Sequence, residues 1–193
     1  MTSFERFRDI QFYRSYFSLG ELPPSETEVA FFGRSNVGKS SAINAICSRK
    51  KLATISKTPG RTRALNFFTV DETKFIVDLP GYGYAKMAKT MQSQIANLLS
   101  QYLQKRAALS GIVHVMDVRH PLQPSDREFL SLIPENMPLL ILLTKSDKIG
   151  TNVARAQLAA VRKELQGEVV LFSSLDKKGL DETRQLLGQW LCL

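Results

Sequence analysis

One short stretch of this chain dictates the geometry around it. Gly33-Arg34-Ser35-Asn36-Val37-Gly38-Lys39-Ser40 matches the pattern G-x-x-x-x-G-K-[ST]. An apolar run, Glu28–Phe32, precedes it and a helical pattern, Lys39–Ser48, follows, so the chain must pass from strand through a tight turn into a helix. Such a turn aims consecutive backbone N–H groups inward, and the helix adds the positive end of its dipole. Gly33 and Gly38 allow backbone conformations and close approach that a Cβ would obstruct. In that geometry Lys39 reaches the β- and γ-phosphates of a nucleotide, and the Ser40 hydroxyl ligates Mg²⁺. By itself the loop specifies a nucleotide phosphate with Mg²⁺ and leaves the base open.

The rest of the chain supplies the layers that such a turn needs. Strand-length runs at Glu28–Phe32, Ala64–Val70, Lys74–Asp78, Ile112–Val118, Leu139–Thr144 and Glu168–Phe172 alternate with helical patterns at Lys39–Ser48, Ser125–Leu132, Asn152–Gln166 and Leu180–Leu191. Met91, Ile95, Leu98, Leu99, Tyr102 and Leu103 form one further helical stripe. This pattern predicts an α/β fold: a three-layer P-loop NTPase sandwich of small-GTPase type, with a mostly parallel six-stranded sheet and helices on both faces. The mixed stretch from Leu65 to Val70 suits a sheet edge, and Ser125 with Glu128 reads as a capping box. Residues 1–27, rich in aromatics and arginine and closed by Pro23-Pro24, form an N-terminal arm, and residues 28–193 the nucleotide-binding domain. The arm is expected to pack on the outside of the sheet; contact with RNA is the sharper alternative.

Composition narrows the class. Of 193 residues, 26 are Lys or Arg and 18 are Asp or Glu, a formal charge of +8, while 44% are hydrophobic. That hydrophobic content excludes a disordered or fibrous chain, and the positive balance suits a polyanionic partner. The longest apolar run, Met137 to Leu143, is far shorter than a membrane span. Charges at Glu5, Arg6, Arg8, Asp9 and Arg14 leave no apolar core for a signal peptide. Cys47 and Cys192 are too few for a disulfide framework and lack a metal-binding spacing. A cytoplasmic protein with no membrane span is expected. His114 and Trp190 read as packing residues.

Later segments choose the base and the switch. Thr144-Lys145-Ser146-Asp147 ends an apolar strand, where the Asp147 carboxylate can accept hydrogen bonds from N1–H and the exocyclic amine of guanine. Adenine offers no such donor pair, and a site built on hydrogen bonds rejects a mismatched ligand by about 10⁴-fold or more. The Lys145 stem can lie along the base, and Phe172-Ser173-Ser174 can offer a backbone N–H to the guanine O6. Asp78-Leu79-Pro80-Gly81 ends another strand: its carboxylate can hold Mg²⁺ through water, and Gly81 lets its N–H approach the γ-phosphate. Thr58-Pro59-Gly60-Arg61-Thr62 falls in a long loop, where Thr62 can ligate Mg²⁺ once the γ-phosphate orders the segment. An ordinary turn is the plainer account of Thr58-Pro59-Gly60.

Taken together these segments resemble a translation-factor-class GTPase. The wording Gly-Arg-Ser-Asn-Val-Gly-Lys-Ser-Ser, Lys-Thr-Pro-Gly-Arg-Thr and Asp-Leu-Pro-Gly-Tyr-Gly-Tyr-Ala is similar to the EngB (YihA/YsxC) family of bacterial GTPases, within the TrmE-Era-EngA-EngB-Septin-like superfamily. The resemblance implies a Mg²⁺-dependent GTP-binding protein acting in large ribosomal subunit assembly and needed for normal septation and cell division. Carried over by position, the nucleotide site comprises Gly33, Arg34, Ser35, Asn36, Val37, Gly38, Lys39 and Ser40, then Gly60, Arg61, Thr62, Arg63 and Ala64. It continues with Asp78, Leu79, Pro80 and Gly81, with Thr144, Lys145, Ser146 and Asp147, and with Phe172, Ser173 and Ser174. The metal ligands are Ser40 and Thr62, and the catalytic set is Lys39, Thr62, Gly81 and Asn36.

That set has a gap. Where Ras-type GTPases carry a water-orienting Gln, this chain has Tyr82, so intrinsic hydrolysis is expected on the order of 10⁻⁴ to 10⁻² s⁻¹. Asn36 either helps hold K⁺ against the phosphates or simply fixes the loop. From Arg49 to Arg63 the basic residues Arg49, Lys50, Lys51, Lys57, Arg61 and Arg63 occur with no acid, and Lys86 and Lys89 lie near Tyr82 and Tyr84. Basic residues among aromatics suit RNA phosphates and exposed bases, so GTP is expected to order a surface that faces ribosomal RNA. A monomer is expected. Two other readings stay open: an RNA-binding protein whose nucleotide is structural, and an ATP-using small-molecule kinase, for which Asp147 has no purpose.

Overall fold

The computed structural model describes residues 3–53, 64–81 and 89–193. Seven strands form one sheet: β1 Gln11–Tyr16, β2 Thr27–Gly33, β3 Leu65–Thr69, β4 Lys74–Asp78, β5 Leu109–Asp117, β6 Leu139–Thr144 and β7 Glu168–Leu171. Among the described residues, six α-helices accompany them: α1 Ser3–Arg6, α2 Lys39–Ile46, α3 Lys89–Lys105, α4 Pro124–Leu130, α5 Thr151–Glu164 and α6 Leu180–Trp190. The strand order is β1-β3-β4-β2-β5-β6-β7. β4, β2, β5, β6 and β7 run parallel; β3 is antiparallel to both its neighbours, β1 and β4.

The central strands are apolar on both faces because both are covered. Along β2, Val29 and Phe31 point into the core shared with Ile43, Ile46 and Leu187 of α2 and α6. Ala30 and Phe32 point the other way, toward Leu99, Tyr102 and Phe129 of α3 and α4. Beyond them Met116, Ile141 and Leu143 meet Val161 of α5. Trp190 lies so close over Gly111 that a Cβ there would fall 2.3 Å from the indole, so the strand needs glycine at that place. His114 is fully enclosed beside Phe32 and Phe129, in keeping with a packing residue.

Three expectations are corrected. The sheet has seven strands rather than six, because Gln11–Tyr16 pairs antiparallel with β3. β3 is consequently not an edge, and its mixed character has a use: the Ser15 hydroxyl donates to the Asn66 side chain at 2.6 Å. The capping box also lies two residues earlier. Pro124 occupies the first turn of α4, and the Asp126 carboxylate accepts the Gln123 backbone N–H at 2.9 Å.

This topology fixes where a ligand can bind. β2 sits between β4 and β5, and the chain leaves it for β3 on one side and later crosses to β5 on the other. Open α/β sheets bind ligands at the carboxyl ends of strands at such a reversal. Those ends carry Gly33, Asp78, Asp117 and Thr144.

At the opposite end of the sheet an enclosed ion pair ties α3 to β2. The Glu28 carboxylate is fully buried and accepts from the Tyr102 hydroxyl at 2.6 Å and from Arg106 Nε at 2.9 Å. Arg106 also donates to the Pro23 carbonyl, drawing in the chain before β2. Removing one partner of such a pair leaves the other charge uncompensated. Arg106→Met should therefore lower unfolding stability by ~3 kcal/mol, the low end of the range for buried pairs, because the Arg106 side chain keeps 20% of its surface exposed. Urea unfolding tests this against Lys163→Met as a surface control; equal midpoints for the two variants would refute it.

Candidate functional site

The loop after β2 is shaped by its backbone. At Gly33 a Cβ would fall 2.5 Å from the Val115 carbonyl oxygen, so β2 and β5 can approach here only over glycine. Gly38, which caps α2, has φ 101°, a left-handed conformation that side-chain-bearing residues avoid. Asn36 has φ 64°. Asn is among the non-glycine residues that enter that region most readily, which accounts for an amide side chain at an exposed position.

Two consecutive residues leaving β6 hold this loop from behind. The Thr144 hydroxyl lies within hydrogen-bonding distance of the Val37 carbonyl and 2.9 Å from the Met116 carbonyl, and donates its one proton to either. Lys145, itself at φ 60°, carries its ammonium across the loop to donate to the Asn36 carbonyl at 2.7 Å. The same ammonium lies 2.9 Å from the Asp117 carboxylate. Arg119 grips that carboxylate in a fork, Nε at 2.9 Å and Nη2 at 2.6 Å. Burial would raise the Asp117 carboxyl, but the hydrogen bonds from Arg119 and Lys145 outweigh it and hold it well below the usual carboxylate range. Asp117 and Arg119 were not singled out by sequence reasoning. The available signal was an acidic residue ending a buried strand, two positions before an arginine.

Lys39 points from the start of α2 toward the end of β4. Its ammonium contacts the Asp78 carboxylate and donates to the Leu79 carbonyl at 2.8 Å. Burial pulls its pKa down to about 7, while the carboxylate beside it favours the charged form. Pro80 and Gly81 are buried immediately beyond. Arg34, Ser35 and Ser40 are partly exposed around the loop, and Ala64 is buried next to β3.

The segment carrying Asp147 and the one carrying Ser173 meet at this end of the sheet. The Asp147 carboxylate accepts from the Ser173 hydroxyl at 2.9 Å and faces Lys148 at 3.2 Å. Burial would raise its pKa, but the Ser173 and Lys148 contacts lower it, so Asp147 is ionised near neutrality. Ser173 Oγ in turn accepts the N–H groups of Leu175 and Asp176, which fixes the loop after β7. Phe172 is fully buried and its N–H bonds the Leu143 carbonyl at 2.8 Å, while Ser174 is exposed. The Ser146 hydroxyl is buried and has no hydrogen-bond partner among the described residues.

The structure thus brings Gly33–Ser40, Asp78–Gly81, Thr144–Asp147 and Phe172–Ser174 to one end of the sheet. Gly60, Arg61, Thr62 and Arg63, along with Thr58, Tyr82, Tyr84 and Lys86, lie outside the described residues. For Mg²⁺ the donors at hand are hard oxygens, the Ser40 hydroxyl and the Asp78 carboxylate. Among the described residues no cluster of three or more His, Cys, Asp or Glu could hold a metal ion. Mg²⁺ is commonly bound by one or two protein oxygens, with phosphate and water completing its shell.

Comparison with known proteins points the same way. The family of 50S ribosome-binding GTPases matches residues 28–145. A protein of Aromatoleum aromaticum described as a probable GTP-binding protein EngB is 48% identical over 97% of this chain and 90% of its own length. Among solved structures, a probable GTP-binding protein engB superposes with a TM-score of 0.68 over 86% of this chain and 99% of its own, at 20% identity, a likeness of fold. Era in complex with MgGDPNP and nucleotides 1506–1542 of 16S ribosomal RNA superposes with a TM-score of 0.67 at 25% identity, over 88% of this chain and 58% of that one. No described helix is long and apolar enough to cross a membrane. With the loop geometry and these relatives in agreement, the chain belongs to the EngB family of GTP-binding proteins and is a GTPase.

Proposed function

We propose that this GTPase is a slow, nucleotide-switched factor that acts on the large ribosomal subunit during its assembly, and through it on septation and cell division. The observation that carries the reading is the tether from β6 to the phosphate loop. Thr144 and Lys145 hold the Val37 and Asn36 carbonyls, while Asp147 stands two residues further on. One short segment therefore positions both the base-selecting carboxylate and the loop that grips phosphate. Support for the ribosomal partner comes from the family description and from the rRNA-bound relative. The protein works in the cytoplasm as a monomer.

In this mechanism Asp147 accepts the guanine N1–H and exocyclic amine, with Ser173 fixing its rotamer. Loop N–H groups and the Lys39 ammonium neutralise the phosphates as charge shifts toward the leaving group. Ser40 would hold a Mg²⁺ ion, with Asp78 acting through water and Thr62 as a further ligand when triphosphate is bound. Such an ion would supply neutralisation of the phosphate charge. Gly81 offers its N–H to the γ-phosphate, and hydrolysis releases the segments around Thr62 and Tyr82. Since Tyr82 has no amide to orient the attacking water, turnover is slow.

Asp147→Ala should weaken GDP and GTP binding by about 100-fold or more, since two hydrogen bonds to a charged acceptor are lost at ~1.5–3 kcal/mol each. Calorimetric titration with guanine and adenine nucleotides measures this, and undiminished GDP affinity would end the base assignment. Purified protein should hydrolyse GTP on the order of 10⁻⁴ to 10⁻² s⁻¹, faster in KCl than in NaCl if the Asn36 amide helps hold K⁺. Asn36→Gly keeps the left-handed backbone accessible and should abolish the difference; equal rates in both salts for the native chain leave Asn36 with its backbone role alone. In co-sedimentation with large ribosomal subunits, the protein should pellet with a non-hydrolysable GTP analogue and stay in solution with GDP. Identical partitioning in the two states would defeat the switch.

A further inference from the structure

We propose that the outer edge of the sheet, β1 together with the exit of α2, is a binding surface for single-stranded RNA, with Phe12, Tyr13 and Phe17 as stacking platforms and Arg8, Arg14 and Arg49 as phosphate contacts. β1 pairs with β3 on one side and, among the described residues, with no strand on the other. Along this edge Phe12 is 54% exposed, Tyr13 50% and Phe17 67%, among the most exposed large apolar side chains of the described residues. They are not loose. Phe12 packs edge-on against Phe68 with ring centroids 5.9 Å apart, and Tyr13 lies 5.5 Å from Phe75. Phe12 and Tyr13 are thus each anchored on one side, over opposite faces of the sheet edge, and open to solvent on the other, as a base-stacking platform requires, while Phe17 just beyond β1 is the most exposed of the three.

The charges choose among possible occupants. Arg6 is taken up by Asp71 at 3.4 Å, but Arg8, Arg14 and Arg49 are exposed and form no ion pair among the described residues. Arg49 donates through Nε to the Arg8 carbonyl at 3.1 Å, which sets the two guanidinium-bearing residues side by side next to the start of β1. An open strand edge could instead take up a peptide strand, but this one is built against that. The register slips between Phe12 and Arg14, leaving Tyr13 as a bulge, and Arg14 charges the edge. Bulges and edge charges are the devices that block strand addition. A regular ladder is denied while cations and open rings are offered, and a single-stranded polyanion with stackable bases fits both. Register also places the strip. Tyr16 pairs with Leu65 and Asn66 with Asp78, so β1 starts near Arg8 and Arg49 and ends at the nucleotide end of the sheet.

The proposal rests on the ribosome-directed reading above only for the source of the RNA. The test measures anisotropy of a short fluorescent single-stranded RNA of mixed sequence, with its duplex as comparison, in the GDP and GTP-analogue states. Phe17→Ala, and Phe12→Ala with Tyr13→Ala, should each weaken single-strand binding by at least about fivefold while GDP affinity and the native circular-dichroism spectrum hold. Arg14→Ala and Arg49→Ala should each flatten the slope of log Kd against log salt by about 0.7. If the ring variants bind RNA as the native protein does, or if duplex binds as well as single strand, the stacking surface is refuted. If the ring variants lose the large subunit but keep RNA affinity, the edge docks a ribosomal protein and the proposal falls. A native protein that binds single strands here yet ignores the large subunit leaves this surface standing and removes the ribosomal reading.

Discussion

The site depends on how Thr144 and Lys145 hold the phosphate loop from behind. A loop that binds anions through its N–H groups must send its carbonyls elsewhere, because an oxygen turned inward would repel phosphate. Here the Asn36 carbonyl is taken by the Lys145 ammonium, and the Thr144 hydroxyl stands within hydrogen-bonding distance of the Val37 carbonyl. The donors come from β6, so the loop conformation depends on a strand far away in sequence. The ammonium is itself shared with Asp117 at the end of β5. Loop, base-selecting segment and the end of β5 therefore form one hydrogen-bonded unit, and a change in any of the three reaches the other two.

Lys39 illustrates the opposite constraint. Its side chain is 11% exposed, and loss of hydration alone draws the ammonium down to about 7. Asp78 stands against it and offsets that cost, with the Leu79 carbonyl as a second acceptor. A desolvated cation gains more from added negative charge than a hydrated one does, since the local dielectric screens less. The carboxylate that keeps Lys39 charged is also the one suited to hold a water on Mg²⁺. The Asp at the end of β4 thus keeps the lysine charged at the end of the sheet where the strand order reverses.

Much of this was legible because the residues concerned carry strong local constraints. Gly33 and Gly38 are forced by a backbone approach and a left-handed φ, and such needs show directly as glycine between a strand and a helix. Asp147 and Ser173 stood out because each follows a buried strand, and the structure sets them 2.9 Å apart. What escaped notice was tertiary. Gln11–Tyr16 has neither clean alternation nor a hairpin turn, and its partner β3 lies some fifty residues on, so only the assembled sheet reveals it as a strand. The cap of α4 slid by two residues because Pro124 is a better first-turn residue than Ser125 is a cap. Asp117 and Arg119 match no motif, and their meaning comes from Lys145, brought to them across the β5–β6 pairing.

The same sheet gives the nucleotide end a route to its outer edge. Asp78, which contacts Lys39, pairs in register with Asn66; Asn66 pairs with Ser15 and accepts its hydroxyl. Only two strand pairings, β4 with β3 and β3 with β1, separate Asp78 and the lysine it contacts from β1. Strand pairing resists partial adjustment, because a one-residue slip would turn every side chain of β3 to the opposite face and bury Asn66 against Phe67's present neighbours. β3 can therefore move with β1 as a unit, or stay, but cannot shift by degrees against it. The bulge at Tyr13 absorbs the one irregularity in this pairing at the end away from the nucleotide. It leaves the Ser15 and Tyr16 pairs as the regular part of the ladder, at the end of β1 nearest the nucleotide-binding loop.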